Sequence, residues 1–549
     1  MQIFKSLLLK LNYSALLKTT PRQINNFKYS LFFSTIIFIS IIIIDIYYFP
    51  INFIPKIFLY LFSISPLLVV ILYYIFYPII LRFRRITSCE EEIPFIASIL
   101  ASSIAKPIKT LMELKNSRLL YFSREIREME RIKNVLGLGE LKALERLAED
   151  HPSNKLKSFL KHILSIEYSG NPSTALSIRL NEFIRELKLD LSLVDYNISQ
   201  ITDVVYALYI FIPATIIGML VMMNIDLLTL IITSYGIPII GFLIVYVVSE
   251  YIYPKIYTAN LSKRNYILIL IILLLAIPVY YILNLYLKIR NTYLFIITGL
   301  IISTPISFLL QRFSHNLAEI VDSSKIFVRD LAEYFKQGYS INVAVTRLVM
   351  EGKYSDIFKN LLRDFYVKMN LSRFDKAIED FQEKPGIPMY FKYFLESIKI
   401  MYLYGATSTG LDFLSNTLNE MAESFKECRR KLGTIFFYLI IGISLSAICI
   451  GLSIEAVLKP IAFMEKRYAF GGISFGRIFT SINIGELERI VYPSIVFQTI
   501  LLSIINGKLR DGMTIMGIKY LPILFTILMI SLWITVDSGI ISKIMGWNY

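Results

Sequence analysis

Long apolar runs alternate along this chain with long stretches rich in charge. A bilayer core needs about 20 consecutive apolar residues per helix, and such runs fall at 29–49, 57–80, 204–223, 227–248, 266–284, 293–311, 434–457, 490–506 and 521–541. The first run is long and lacks a small-residue cleavage site, so it reads as an anchor and not as a removed signal. The polar stretches 82–202 and 312–433 carry helical periodicity, as in Leu141, Leu144, Leu147 and then Leu156, Leu160, Ile163, Leu164. Thr87 and Ser88 precede Glu90 and Glu91 by three residues, a doubled capping-box signal for a helix start, with Glu92 adding negative charge to the first turn. No stretch alternates with period two for long enough to argue a sheet. The pattern predicts an all-α, polytopic membrane protein with about nine transmembrane helices and two cytoplasmic helical bundles. In order these are an N-terminal segment with two spans (1–81), a first bundle (82–202), four spans (203–311), a second bundle (312–433) and three spans (434–549) with an outer loop near 458–489.

Composition supports the membrane class. Of 549 residues 55% are hydrophobic and only 18% charged, and the mean hydropathy is +0.58. A soluble protein of this length would carry charge near a quarter of its sequence. The net charge of +15 is explained by Lys and Arg gathering on the cytoplasmic side of the spans. Lys5, Lys10, Lys18, Arg22 and Lys28 precede the first span, and Arg82, Arg84 and Arg85 follow the second. Lys255, Lys263 and Arg264 follow the fourth, Arg312 the sixth, and Lys508, Arg510 and Lys519 the eighth. All fall inside if the N-terminus is cytoplasmic and the C-terminus lies outside a cell membrane crossed nine times.

Motifs for chemistry are missing from the sequence. Cys89, Cys428 and Cys449 have no paired spacing, and His151, His162 and His315 are too scattered for a metal motif. Gly507-Lys508 is the nearest fragment to a phosphate loop, but Leu502 stands where its first glycine belongs. HExxH does not occur, and Gly471-Gly472 with Gly476, where Gly472–Gly476 has the G-x-S-x-G spacing, lies in the expected outer loop, away from any strand–helix context. The expectation is a chain with no catalytic residues, no cofactor and no metal. Within the spans Asp45, Glu455 and Asp537 lie near the ends, and none is central. Pro213, Pro238, Pro278 and Pro305 are read as kinks, and Gly442, Ser446, Ala447 and Gly451 as a helix-packing face.

The two polar stretches resemble each other. Lys142-Ala143-Leu144-Glu145 matches Lys376-Ala377-Ile378-Glu379, and Phe159 through Leu176 aligns without gaps to Phe394 through Leu411. Gly170 pairs with Gly405, Ser173-Thr174 with Ser408-Thr409, and Asn181 with Asn416. An offset held this long points to duplicated units. At each shared glycine a helix should stop in the left-handed conformation. Asn171 with Pro172, and Thr407 or Ser408, should then open the next helix.

This arrangement resembles the type II secretion F-domain family, and more closely the archaeal platform proteins of type IV pili and archaella. The residues that carry the resemblance are Glu92-Ile93-Pro94-Phe95, Ala143-Leu144-Glu145-Arg146 through His151-Pro152-Ser153, and the Gly170 turn. In the second copy they are Gly338-Tyr339-Ser340-Ile341 and the Gly405 turn, whereas the first copy has Ala105-Lys106-Pro107-Ile108 in place of the glycine step. The resemblance implies a non-enzymatic scaffold that couples a cytoplasmic hexameric secretion ATPase to insertion of pilin subunits into a filament. The sequence leaves homodimer formation open, and no direct contact with nucleic acid is expected, the basic charge alone suggesting a membrane-anchored nucleic-acid binder as a third reading. Arg124, Arg127, Glu128 and Arg131, or Lys426, Arg429 and Arg430, either dock that ATPase or face solvent and membrane lipids. The alternative reading is a secondary transporter or a lipid-handling membrane enzyme.

Overall fold

A computed structural model describes residues 85–102, 107–119, 121–169, 231–252, 257–287, 289–405, 408–458 and 484–537, with isolated positions between 178 and 200. The spans expected at 29–49, 57–80 and 204–223, Asp45, the Gly170–Pro172 turn and most of the outer loop lie outside the described residues. Among the described residues the chain is helical throughout, apart from one isolated bridge between Ala259 and Pro388.

In chain order the first polar stretch contains α1 (85–102), α2 (Pro107–Glu113), α3 (Phe122–Leu136), α4 (Glu140–Asp150) and α5 (Asn154–Ser169). Then come α6 (Ile237–Ile252), α7 (Lys263–Leu274), α8 (Ala276–Tyr286) and α9 (Asn291–Lys336). The second polar stretch adds α10 (Ile341–Glu351), α11 (Asp356–Leu371), α12 (Phe374–Glu383) and α13 (Met389–Tyr404). Last are α14 (Ser408–Leu452), α15 (Ile484–Asp511), a 3₁₀ turn (Thr514–Tyr520) and α16 (Leu521–Leu532).

Five helical segments are long and apolar enough to cross a membrane: Lys263–Tyr286, Asn291–Lys336, Leu432–Glu455, Ile490–Asp511 and Thr514–Asp537. They coincide with five of the nine runs read from the sequence. The fourth run is a shorter apolar helix, Thr233–Tyr246. Ile267, Leu270, Leu274, Ile277, Tyr281 and Leu285 on α7 and α8 are exposed, a face suited to hydrocarbon and costly in water. α7 and α8 are separated at Leu275, three residues before Pro278, whose missing N–H leaves the carbonyl four residues back without its helical donor. Pro238 does the same to the Ser234 carbonyl, and there Gln498 of α15 supplies the donor at 3.3 Å.

Two helices of 46 and 45 residues, α9 and α14, join the spans to the second polar stretch without a break. Each is about 70 Å long at 1.5 Å per residue. They run antiparallel, and Lys336 pairs with Asp412, Lys325 with Glu423 and Lys426 with Asp322. The same spacing separates the partners on both helices, so the three pairs fix one register. Between them α10 to α13 pack an aromatic core. Its Phe327–Phe358 and Phe358–Phe391 ring centroids are 5.8 Å apart, and the Phe391 and Phe394 rings stack at 5.7 Å.

The chain divides into two compact units, residues 1–90 with 149–157 and, separately, 91–148 with 158–549. In the first unit Ser153 caps α5: its Oγ accepts the Leu156 N–H at 3.1 Å and donates to Glu90. Its own N–H donates to His151 Nδ1 at 3.0 Å.

Three local expectations change. α1 already includes Thr87 and Ser88, so they do not cap its start, and Glu92 faces inward instead of serving a first turn. Gly405 ends α13 with positive φ, but at φ 84 and ψ 143 it is extended, not left-handed helical, a region open essentially to glycine alone. The small-residue face of the span at 434–457 is buried within this chain. There a Cβ on Gly451 would lie 2.4 Å from Thr535 Oγ1.

Gly410 permits the closest approach between the two polar stretches. A Cβ there would fall 1.9 Å from Ser102 Cβ and 2.5 Å from Ser102 Cα. Gly410→Ala should therefore lower the melting midpoint of the purified full-length protein, by overpacking worth about 1–3 kcal/mol. Gly139→Ala, with nothing within 4 Å of the added carbon, should leave it unchanged. Equal midpoints for the two variants would refute the contact.

Candidate functional site

The seam between the first and second polar stretches is built on two buried carboxylates and one short connection. The connection is 117–121, which links the 3₁₀ turn after α2 to α3. Glu92 reaches it from α1, accepting the Tyr121 N–H at 3.2 Å and the Phe122 N–H at 2.8 Å. These are orphan donors at the start of α3, where a carboxylate is favoured by the helix dipole. Glu396 reaches the same connection from α13, accepting the Arg118 N–H at 2.9 Å. Both carboxylates are fully buried.

Around Glu396 three residues supply donors, while the buried Gln382 Oε1 has no partner among the described residues. Gln382 donates to it at 3.0 Å and Lys399 at 3.4 Å, and Lys399 also pairs with Glu379 at 2.7 Å. The Arg118 guanidinium lies 3.1 Å from Glu383 and 3.6 Å from Glu379, and donates to the Glu379 carbonyl at 3.1 Å. Around Glu92, Tyr393 of α13 contributes its hydroxyl and packs edge-on against Phe95, with ring centroids 5.6 Å apart. Tyr404 completes the seam by donating to Glu113 at 2.9 Å.

Burial decides the electrostatics. It pushes the Glu92 carboxyl from its ordinary 4.5 up to about 7, against the opposing pull of the Phe122 and Tyr121 N–H groups, Tyr393 and Arg124. Tyr393 is raised well above the usual phenol range by burial and by Glu92, and Lys392 is lowered by burial and by Arg118. Glu92 is thus a group that titrates near neutrality, in contact with both stretches.

Of the residues singled out from the sequence, Arg124 borders the seam and acts on Glu92 through its charge. Arg124, Arg127 and Arg131 line the exposed face of α3. There Arg124 lies 5.7 Å over the Tyr121 ring, Arg127 donates to the Ser123 carbonyl at 3.1 Å, and Arg131 pairs with Glu128 at 3.8 Å. On α14, Lys426 pairs with Asp322 and Arg429 with Asp511, while Arg430 is exposed. The two sets stay on separate helices. Asp537 sits at the far end of its span, bonded to Tyr293 and 3.7 Å from Arg290.

The seam residues Arg118, Glu396 and Lys399 carried a faint sequence signal. Glu396 and Lys399 stand three apart in the otherwise largely apolar run Tyr393–Tyr404, as a buried i,i+3 pair does. No family model, curated protein or solved structure matches this chain.

Two outcomes follow from the seam. Because the folded chain holds an extra proton on Glu92 between pH about 4.5 and about 7, its stabilisation is complete below 4.5, is lost as pH rises through about 7, and then levels off, a change on the order of 3 kcal/mol. Melting midpoints measured from pH 5 to pH 8 should fall less for Glu92→Gln than for the native chain; identical slopes would exclude Glu92 as the source. Separately, Glu396→Ala strands Lys399 and the Arg118 N–H, a loss of about 3–5 kcal/mol. Glu396→Ala with Lys399→Met should recover part of it in a double-mutant cycle, and purely additive effects would deny the pairing.

Proposed function

We propose that this chain is an integral-membrane platform protein of an archaeal type IV pilus or archaellum-like assembly machine. It couples a cytoplasmic secretion ATPase to the insertion of pilin subunits into a filament, and it has no catalytic centre of its own. The observation that carries the reading is the pair α9 and α14, two unbroken helices that make a polar helical bundle and a set of apolar spans one rigid piece. A push on the bundle is delivered to the spans without passing through a loop.

Duplication belongs to the same proposal. Helices of 15, 11 and 16 residues in the first stretch correspond in order and length to helices of 16, 10 and 16 in the second. Ala143 and Leu144 are buried, as are Ala377 and Ile378, and Phe159 with Leu160 matches Phe394 with Leu395. Gly338 turns the chain with φ 86 between α9 and α10, in the Gly338–Ile341 segment that resembles the family's step. The nine-span topology, with the bundles and the N-terminus in the cytoplasm and the C-terminus outside, completes the proposal.

A cell lacking this chain should assemble no filaments, and the purified pilus-class ATPase should bind the full-length protein in nanodiscs. His315 is exposed on α9 just beyond the span. His315→Pro should interrupt the helix there at a cost of about 3 kcal/mol or more, abolishing filament assembly while ATPase binding persists. Normal filaments in the deletion strain would refute the platform reading. Normal filaments with His315→Pro would refute the rigid transmission alone.

A further inference from the structure

Where the spans meet the bundle, two cations share one carboxylate, and a third, Arg510, lies beside them. Asp511, at the end of α15, accepts from the Tyr520 hydroxyl at 2.8 Å, lies 3.4 Å from Arg429 of α14 and 3.7 Å from Lys519 of the 3₁₀ turn. Lys519 also donates to Ser314 of α9 at 3.2 Å, as does Arg429. Arg510 sits over the Tyr520 ring at 5.4 Å, with Lys519 over the same ring at 5.0 Å. Its guanidinium also approaches α14 at Gly433, where a Cβ would lie 3.8 Å from Nη2. The Arg510 Nε is buried, and no described residue accepts its hydrogen.

The crowding has a backbone cause. A Cβ on Gly507 would fall 2.0 Å from the Gly517 nitrogen, and one on Gly517 would fall 2.4 Å from the Ser503 carbonyl oxygen. These two glycines let α15 and the 3₁₀ turn touch backbone to backbone, which brings Arg510, Asp511 and Lys519 together. The Gly507-Lys508 pair that looked like a fragment of a phosphate loop is a packing device.

The three cations and one carboxylate leave this cluster with a net charge of +2, at the end of the apolar segment Ile490–Asp511 and next to the start of Leu432–Glu455. Beside them, beginning one turn past Gly433, α14 exposes Phe437, Tyr438, Ile441 and Leu445 on its span. A basic cluster between helices at the end of a membrane-length apolar segment, beside an exposed apolar strip, matches one ligand chemistry. We propose that Arg429, Arg510 and Lys519 hold the phosphate of an anionic phospholipid whose acyl chains lie along Phe437, Ile441 and Leu445. The lipid phosphate accepts from Arg510 Nε and offsets one of the two excess positive charges. It ties α9, α14, α15 and the 3₁₀ turn together at the joint, whichever machine the chain serves.

The test uses the full-length protein in detergent micelles, with phosphatidylglycerol or phosphatidylcholine added and bound lipid counted by native mass spectrometry. Phosphatidylglycerol should be retained in preference and should raise the melting midpoint. Arg510→Gln should weaken its binding about fivefold, the loss expected for one cation at a membrane surface. Arg290→Gln, which removes a cation at the opposite end of the spans, should not. Equal retention of the two lipids by the native chain would overturn the proposal even if Arg510→Gln failed to fold. So would an undiminished affinity in that variant. Inorganic phosphate giving the same rise in midpoint as phosphatidylglycerol would assign the cluster to a small anion and overturn the lipid.

Discussion

A helix that crosses hydrocarbon must satisfy its own backbone, because no water is there to do so, and α9 and α14 extend that constraint beyond the spans. Neither unwinds where the apolar segment ends. The second polar stretch is therefore mounted on two continuous rods, and α10 to α13 complete themselves against those rods. The ion pairs between the rods are exposed and individually worth about 0–1 kcal/mol. Their importance lies in register: Lys336–Asp412, Lys325–Glu423 and Lys426–Asp322 agree on one alignment and would all be broken by a slip of a single turn. Affinity between the rods comes from buried apolar residues such as Phe327, Leu331, Leu414 and Leu418.

The seam uses a different logic. Burying Glu92, Glu396 and Lys399 is expensive, and apolar residues of the same volume would often be as stable or more so. What carboxylates add is direction. Each must meet specific N–H groups of the 117–122 segment, and those groups exist at one place only. An apolar seam between two helical bundles tolerates sliding, whereas a seam with buried acceptors does not. Gly410 against Ser102 adds a steric version of the same demand.

Which features were legible in the sequence follows from how local their causes are. Apolar runs at 266–284 and 293–311 mark spans because length and hydropathy are properties of consecutive residues. The turn at Gly405 was legible as a helix stop, though its extended conformation was not, since ψ is set by how the next helix docks. The face of Gly442, Ser446, Ala447 and Gly451 was legible as packing, but its partner Thr535 was not. Glu92 was read as serving its own helix because capping boxes are local; its real partners lie about 30 residues away on α3 and some 300 away on α13. Pro238 was legible as a break, yet its repair by Gln498 depends on a helix more than 250 residues on.

Rigidity in α9 and α14 constrains how the proposed machine moves. The paired rods resist bending independently, since buried apolar residues hold them together in the one register that the ion pairs from Asp322 to Lys336 on α9 select. A force on the bundle therefore tilts both rods together. The tilt needs a fulcrum, and α9 and α14 meet the backbone-packed pair of α15 and the 3₁₀ turn through the side chains of Ser314, Arg429, Asp511 and Lys519. Polar contacts there can re-form at new angles in a way that interdigitated apolar side chains cannot. The 3₁₀ turn Thr514–Tyr520 gives the joint a segment with poorer internal hydrogen bonding than an α-helix, and so one that deforms first. A lipid phosphate held by Arg510 at that point would set the stiffness of the fulcrum, because it bridges cations on both sides of it.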